Sequence, residues 1–154
     1  MSTPQQIEAL NELLKGEHMA IDIYVKTNGL QKDIQVAEML SDFENDHKQH
    51  AELLIKRIND LGGIPKGSTG LAGAMANLVA TVNSYRGPEQ LLKQLYDGED
   101  KGIHAYEVRI DELDSVSQNL VKQIVLEDQE HCKQFKSRME QEKREGHVGI
   151  SEPH

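Results

Sequence analysis

Residues 40–51 of the chain are LSDFENDHKQHA, and they place ionisable side chains inside an apolar helical stripe. Leu40 and Ala51 are apolar positions of this stripe, and Glu44 and His47 lie between them in an E-x-x-H pattern. Residues three apart in a helix project from the same face, one turn from each other. Because carboxylates are seldom buried without a partner, the stretch predicts a helix that carries two metal donors toward a bundle interior.

A second stretch of the same kind lies near the C-terminus. Residues 124–135 are IVLEDQEHCKQF, and they hold Glu127, Asp128 and His131 within an apolar stripe. Asp128 precedes the histidine by three residues and Glu127 precedes it by four, so either carboxylate can share its face. We leave open which of the two is a ligand, with Glu130 as a third possibility.

Two glutamates interrupt the apolar stripes of two further helices. Glu17 and Glu99 each fall in line with a leucine one turn before and an isoleucine one turn after. Tyr24 and Tyr106 follow two turns later on the same stripes. We expect these tyrosines either to act in catalysis beside the centre or to pack as ordinary core aromatics.

The two halves of the chain resemble each other. Five residues recur at one constant offset: Leu13, Gly16, Glu17, Ile21 and Tyr24 correspond to Leu95, Gly98, Glu99, Ile103 and Tyr106. Each half therefore contributes one inward glutamate and one helix with a carboxylate and an imidazole.

Apolar residues recur at helical spacing in four long segments, separated by glycine, proline and asparagine. The segments run from Thr3 to Asn28, from about Asp33 to Asp60, from Pro88 to about Leu113, and from Ser115 to a point before Gly146. Short turns join the first segment to the second and the third to the fourth, and short connections favour antiparallel neighbours. The sequence predicts an all-α, antiparallel four-helix bundle.

The stretch from Gly62 to Gly87 is too long for a turn and is interpreted as a crossover between the two hairpins. Residues 71–84 within it can form a short extra helix, since their apolar residues share one face. We expect one domain over residues 1–145. Residues 146–154 lack periodicity and are expected to form a flexible C-terminal tail.

The donors also lie at matching heights. Glu17 is about as far before the first turn as Glu44 and His47 are after it, and the donors of the second hairpin are level in the same way. Four carboxylates and two imidazoles supply oxygen, nitrogen and negative charge for two cations. These donors suit iron, with manganese or zinc as alternatives, and the lack of paired thiolates argues against copper(I) and iron–sulfur clusters. The pattern predicts two iron ions.

Over residues 5–141 this arrangement resembles the ferritin-like di-iron superfamily, which includes rubrerythrin-like and bacterioferritin-like proteins. There, two helices each give a glutamate and the other two each give E-x-x-H. The ligands that the resemblance implies are Glu17, Glu44 and His47 for one metal, and Glu99, a carboxylate of the last helix and His131 for the other. Glu44 and its partner on the last helix would bridge the two metals.

A narrower resemblance rests on Leu61-Gly62-Gly63-Ile64-Pro65, on the crossover and on Gly98-Glu99-Asp100. These features are similar to a bacterial ferritin-like family of unassigned function. One departure stands at Asp128, where the superfamily pattern has glutamate. Aspartate is shorter by a methylene, so Asp128 would reach only one metal, and Glu127 could take the bridging role after a small rotation of the helix; either carboxylate could be the ligand.

The composition excludes several other classes of function. The chain has 26 acidic against 17 basic residues and a formal charge of -9, with no basic run, so we expect no nucleic-acid partner. The single cysteine, Cys132, excludes an internal disulfide framework. With no apolar signal core and no membrane span in the sequence, we expect a cytoplasmic protein.

The centre predicts an oxidoreductase that reacts with dioxygen or peroxide, of the ferroxidase or peroxidase type. Because the chain lacks a four-cysteine electron-transfer domain, any electron donor would be a separate partner. The alternatives are a non-catalytic metal-binding or stress-associated bundle and a helical interaction module. We also expect a homo-oligomer. His18, His50 and His104 fall off the inward stripes and are expected to be solvated.

Overall fold

The structure is a computed structural model that describes residues 2–68 and 87–151. The described residues form four long helices: α1 Thr3–Asn28, α2 Ile34–Asp60, α3 Pro88–Arg109 and α4 Ser115–Ser151. A 3-10 helix, Ile110–Glu112, follows α3 directly. The predicted all-α, antiparallel four-helix bundle is confirmed. The predicted short helix at residues 71–84 lies outside the described residues.

Side-chain caps fix where the helices begin. Ser2 accepts a hydrogen bond from the backbone N–H of Gln5 and so caps α1. The Asp33 carboxylate accepts the N–H groups of Gln35 and Val36 at the start of α2. Such caps satisfy the backbone donors that the first turn of a helix leaves free.

Two predicted helix ends are wrong. The third helix changes to 3-10 geometry at Ile110 and does not continue as α-helix to Leu113. The fourth helix continues past Gly146 to Ser151. Glycine lowers helix propensity by only about 1 kcal/mol per residue, whereas proline stops a helix, and the first proline after α3 begins is Pro153.

Charged side chains tie the two hairpins together at both ends. Arg57, near the end of α2, donates to the Asp114 carboxylate before α4 at 2.8 Å and to the Ser117 hydroxyl at 2.8 Å. Arg138 on α4 lies against Asp33 at the start of α2. These contacts set α2 and α4 antiparallel to each other.

The apolar core has two parts, one on each side of a polar level. One part contains Leu10, Leu14, Leu54, Ile58, Val121 and Ile124. The other contains Leu40, Phe43, Leu91, Leu92 and Phe135. On each helix, the buried histidines and carboxylates lie between these two parts along the chain. Among the described residues, no helix is both long and apolar enough to cross a membrane.

Candidate metal centre

Three carboxylates and three imidazoles meet at the polar level of the bundle. Every helix contributes, and each of the six residues is between 0 and 5 % exposed. The residues are Glu17 on α1, His47 and His50 on α2, Glu99 on α3, and Asp128 and His131 on α4. Burying so many ionisable groups is costly unless they are paired or hold a cation.

His47 lies at the middle of the cluster and joins the two hairpins. Its Nδ1 atom is 2.7 Å from Oε2 of Glu17, and its Nε2 atom is 2.7 Å from Oε1 of Glu99. The same Glu99 oxygen lies 3.1 Å from Nδ1 of His131. The donors of both halves of the chain therefore form one continuous network.

Two groups of donors are close enough to hold a metal ion. The first is His47, Glu99, Asp128 and His131, and the second is Glu17, His47 and His50. Within each group the donor atoms lie within 4.8 Å of one another. The groups share His47, which presents one ring nitrogen toward each.

Several buried polar atoms of this cluster have no hydrogen-bond partner within residues 2–68 and 87–151. They are both ring nitrogens of His50 and Oδ1 of Asp128. His50 Nδ1 is 3.5 Å from Oε1 of Glu17 and 3.7 Å from Oδ1 of Asp128, and both distances are longer than those of a normal hydrogen bond. An unpartnered buried polar group costs roughly 1–3 kcal/mol. Oxygen and imidazole donors of this kind fit a divalent cation. One ion can bind Oδ1 of Asp128 and one ring nitrogen of His50, whose other nitrogen can then donate its N–H to a carboxylate such as Glu127.

Burial and pairing within the cluster shift the pKa values of its histidines and carboxylates. Burial opposes a charge on His47, yet hydrogen bonding to Glu17 and Glu99 holds the pKa of His47 well above its usual value. Although burial works against the charged form of Glu17, its histidine partners lower the pKa of Glu17 to about 2. Burial and the charge of Glu99 raise the pKa of Asp128 to about 8. A bound metal must displace such protons.

The two predicted tyrosines contact the cluster crosswise. The Tyr24 hydroxyl of α1 donates to Oε1 of Glu99 on α3. The Tyr106 hydroxyl of α3 donates to Oε1 of Glu17 on α1 at 2.8 Å. Both phenols are buried, and burial together with the adjacent carboxylates holds their pKa values well above the usual range. They fix the orientation of two carboxylates, and their part in catalysis stays a prediction.

Glu44 and Glu127 border the cluster without joining either group. Glu44 follows the inward-facing Phe43, so its side chain turns outward and pairs with Lys48 at 2.7 Å. The Glu127 side chain is 48% exposed, and its Oε1 atom lies 3.5 Å from Nε2 of His50. On α4 the structure thus brings Asp128 into the cluster, while Glu130 is exposed. That Glu44 and Glu127 are ligands stays a prediction, which needs their side chains to rotate.

The prediction that His50 is solvated is wrong, since the residue is fully buried. The available signal was its spacing: Phe43, His47, His50 and Leu54 follow each other at four, three and four residues, as one inward stripe does. Asp46 was also missed, and its carboxylate lies 2.8 Å from Nε2 of His131. By contrast, His104 is exposed as predicted.

A model of the family described as "Domain of unknown function (DUF2383)" matches residues 5–112, from the third residue of α1 to the end of the 3-10 helix after α3. Among curated proteins, no sequence matches the chain. Several solved structures do resemble it.

One similar structure is the bacterioferritin-related protein of Bacteroides fragilis, described as a dodecameric thioferritin. Its TM-score is 0.79 at 19% identity, and the match covers 96% of this chain and 92% of that one. Another is the bacterioferritin of Rhodobacter capsulatus, described with a metal-free dinuclear site and haem iron. Its TM-score is 0.74 at 24% identity, with 92% and 87% of the two chains covered. The predicted ferritin-like fold is confirmed.

Proposed function

The chain belongs to the DUF2383 family, a domain of unknown function, and we propose that it is a di-iron carboxylate protein that reacts with dioxygen or peroxide. The observation that carries the proposal is the buried cluster of three carboxylates and three imidazoles, with three polar atoms that lack partners. A structural core gains nothing from such a cluster, whereas a cation satisfies it.

The donor atoms divide into two sets that fit two ions. Glu17, His47 and His50 form one set, and Glu99, Asp128 and His131 form the other, to which His47 also belongs. Three carboxylates offset most of the charge of two ferrous ions, and nitrogen and oxygen ligands suit iron or manganese. The dinuclear site named for the Rhodobacter capsulatus relative supports a pair of ions over a single one.

A reduced di-iron pair supplies two electrons to dioxygen or hydrogen peroxide. The protein's own residues prepare the place for this chemistry. Tyr24 and Tyr106 orient the carboxylates of Glu99 and Glu17, and apolar residues pack on either side of the polar level. The single cysteine provides no electron-transfer cluster, so the reductant in this proposal is a separate protein or ferrous iron itself.

The test is anaerobic titration of metal-free protein with ferrous iron, followed by addition of hydrogen peroxide. We expect two irons per chain, a near-ultraviolet absorption band on oxidation, and consumption of peroxide. The His131→Ala variant should bind less iron and consume peroxide slowly. His104→Ala is the matched control, because it removes an exposed imidazole and should behave as wild type.

The result separates the alternatives. Two bound irons without consumption of peroxide or oxidation of excess ferrous iron would favour a non-catalytic metal-binding bundle. Failure to bind any metal would leave a helical interaction module. Because the Bacteroides fragilis relative is described as dodecameric, we also propose that this chain self-associates, which light scattering on the same samples would test.

A further inference from the structure

An apolar cleft lies between α1 and α3 and reaches the candidate metal centre. Its volume is about 340 Å³, within the range of small-molecule pockets. Residues of α1 between Glu12 and Tyr24 form one wall, and residues of α3 between Gln94 and Tyr106 form the other. Behind these walls, His47 of α2 and Asp128 of α4 lie at the floor. The cleft is therefore a passage from the surface of the protein to the donor atoms.

The cleft is open because glycine occupies three mid-helix positions along it. These are Gly16 on α1 and Gly98 and Gly102 on α3. Among the residues that the structure describes, a Cβ atom at any of the three would meet nothing within 4 Å, and none of them has positive φ. Neither close packing nor backbone geometry explains the choice of a residue that weakens helices.

Gly63 shows the contrast, because a Cβ there would lie 2.7 Å from Cγ2 of Ile7. At that position, packing alone requires glycine. In the cleft, the effect of glycine is to leave space beside Glu17 and Glu99, each of which directly follows a glycine in the repeated Gly-Glu pairs. Open space adjacent to a buried polar cluster is a feature of ligand sites.

The chemistry of the lining selects the ligand. The walls are mostly carbon, from residues such as Leu13, Ala20, Leu95 and Ala105, so they do not solvate a hydrated ion. At the rim, Glu12 and Lys101 have opposite charges, and the floor carries carboxylates that repel anions. A neutral molecule with a largely apolar body matches these properties.

We propose that the cleft binds a neutral, largely apolar small molecule beside the metal centre. Such a molecule could reach the floor residues on α2 and α4, whereas the helix of a second copy could cover only the outer groove. The position of the ligand next to metal ions rests on the proposed function. The binding of the ligand does not rest on the proposed function, because side chains of α1 and α3 form the walls of the cleft.

The experiment uses two probes with the same skeleton and metal-free protein. N-phenyl-1-naphthylamine is neutral, and 1-anilinonaphthalene-8-sulfonate adds one negative charge. We expect saturable fluorescence enhancement with the neutral probe and at least tenfold weaker binding of the sulfonate. Gly102→Leu fills the cleft and should weaken binding of the neutral probe at least tenfold. Asn45→Leu adds the same side chain to an exposed site of α2 and should bind as wild type.

Thermal melting shows whether the Gly102→Leu variant has a folding defect. Gly102→Leu should melt no lower than wild type, since leucine favours a helix and its first side-chain atom meets open space. Equal binding by all three proteins, or no binding by wild type, would overturn the proposal. It would also be overturned if Gly102→Leu changed the oligomeric state and left probe binding intact, because the cleft would then seat a second copy. Iron uptake, measured separately, tests the proposed function independently of these outcomes.

Discussion

At the scale of single residues, His50 carries the most information about the centre. Both of its ring nitrogens are buried without a hydrogen bond, although carboxylate oxygens of Glu17 and Glu127 lie at 3.5 Å. A histidine that served only packing would be expected to donate its ring N–H to one of them. This geometry is the one expected of a histidine that serves as a metal ligand.

We predict that His50→Gln lowers iron binding from two ions per chain toward one, with an affinity loss of about tenfold or more for the second ion. Glu44→Gln should retain two ions, because the Glu44 carboxylate pairs with Lys48 outside the cluster. Anaerobic titration with metal analysis measures both variants, and His104→Gln is the control for loss of an exposed imidazole. Loss of iron in Glu44→Gln alone would instead support the E-x-x-H assignment.

Most of the candidate cluster follows from periodicity in the sequence. Glu17, Glu99 and His47 were identified because ionisable residues interrupt apolar stripes at helical spacing. For Glu44 periodicity leaves the direction of the side chain open, because neighbouring positions of a helix differ by about 100° and the direction depends on how the helix is rotated in the bundle. On α2, Phe43 takes the inward position. Its ring packs against the ring of His131, and the two ring centroids are 4.0 Å apart.

At the scale of elements, the helix starts depend on short-range contacts. Asp114 accepts the backbone N–H of Ser117 at 2.8 Å at the start of α4 and also pairs with Arg57. The Ser117 backbone hydrogen bond, with a smaller contribution from Arg57, lowers the pKa of the Asp114 carboxyl from its usual value. Since the folded-state pKa is depressed, the stabilisation is present above the unfolded pKa and is lost as the pH falls through the folded pKa.

Asp114→Ala should therefore lower the free energy of unfolding by about 1 kcal/mol at pH 7, the usual value of a helix N-cap. The difference from wild type should shrink below about pH 4, where the carboxyl begins to protonate in the unfolded chain. Urea denaturation across this pH range measures both effects. Asp111→Ala removes an exposed acidic group nearby, and an equal effect of that variant would contradict the capping role.

The glycines of α3 and of the turn after α2 should respond in opposite directions. Gly102→Ala adds a methyl group in open space and should stabilise the protein by about 0.5–1 kcal/mol. Gly63→Ala forces Cβ against Ile7 and should destabilise it by about 1–3 kcal/mol. Urea midpoints of both variants give the comparison. A destabilised Gly102→Ala would mean that the cleft is closed in solution.

Helix bounds were predicted to within a few residues, and the exceptions have local causes. The prediction that the first segment opens at Thr3 agrees with the start of α1, but its capping box is formed by Ser2 and Gln5 and not by Thr3 and Gln6. The predicted end of the fourth helix is too early because it treats Gly146 as a stop signal, and a single glycine destabilises a helix much less than a proline does. A sequence pattern alone does not show whether the backbone hydrogen bonds of a continuing helix outweigh the low helix propensity of one glycine.

At the scale of the whole molecule, topology places the donors at one level. The bundle brings Glu17 of α1 and Glu99 of α3 to opposite sides of His47, and the crosswise contacts of Tyr24 and Tyr106 repeat this symmetry. This much was predictable, because donors at equal distances from a helical turn must meet. The cleft was not predictable from the sequence, since it depends on the distance between α1 and α3.

The most direct test of the two-metal claim is diffraction from crystals soaked anaerobically with ferrous iron, using anomalous scattering at the iron absorption edge. We predict two anomalous peaks inside the bundle, about 3.5–4 Å apart as in other two-metal sites. One should contact Glu17 and His50, and the other should contact Asp128 and His131. A bundle with no internal peak, or with iron only on surface carboxylates, would contradict the account.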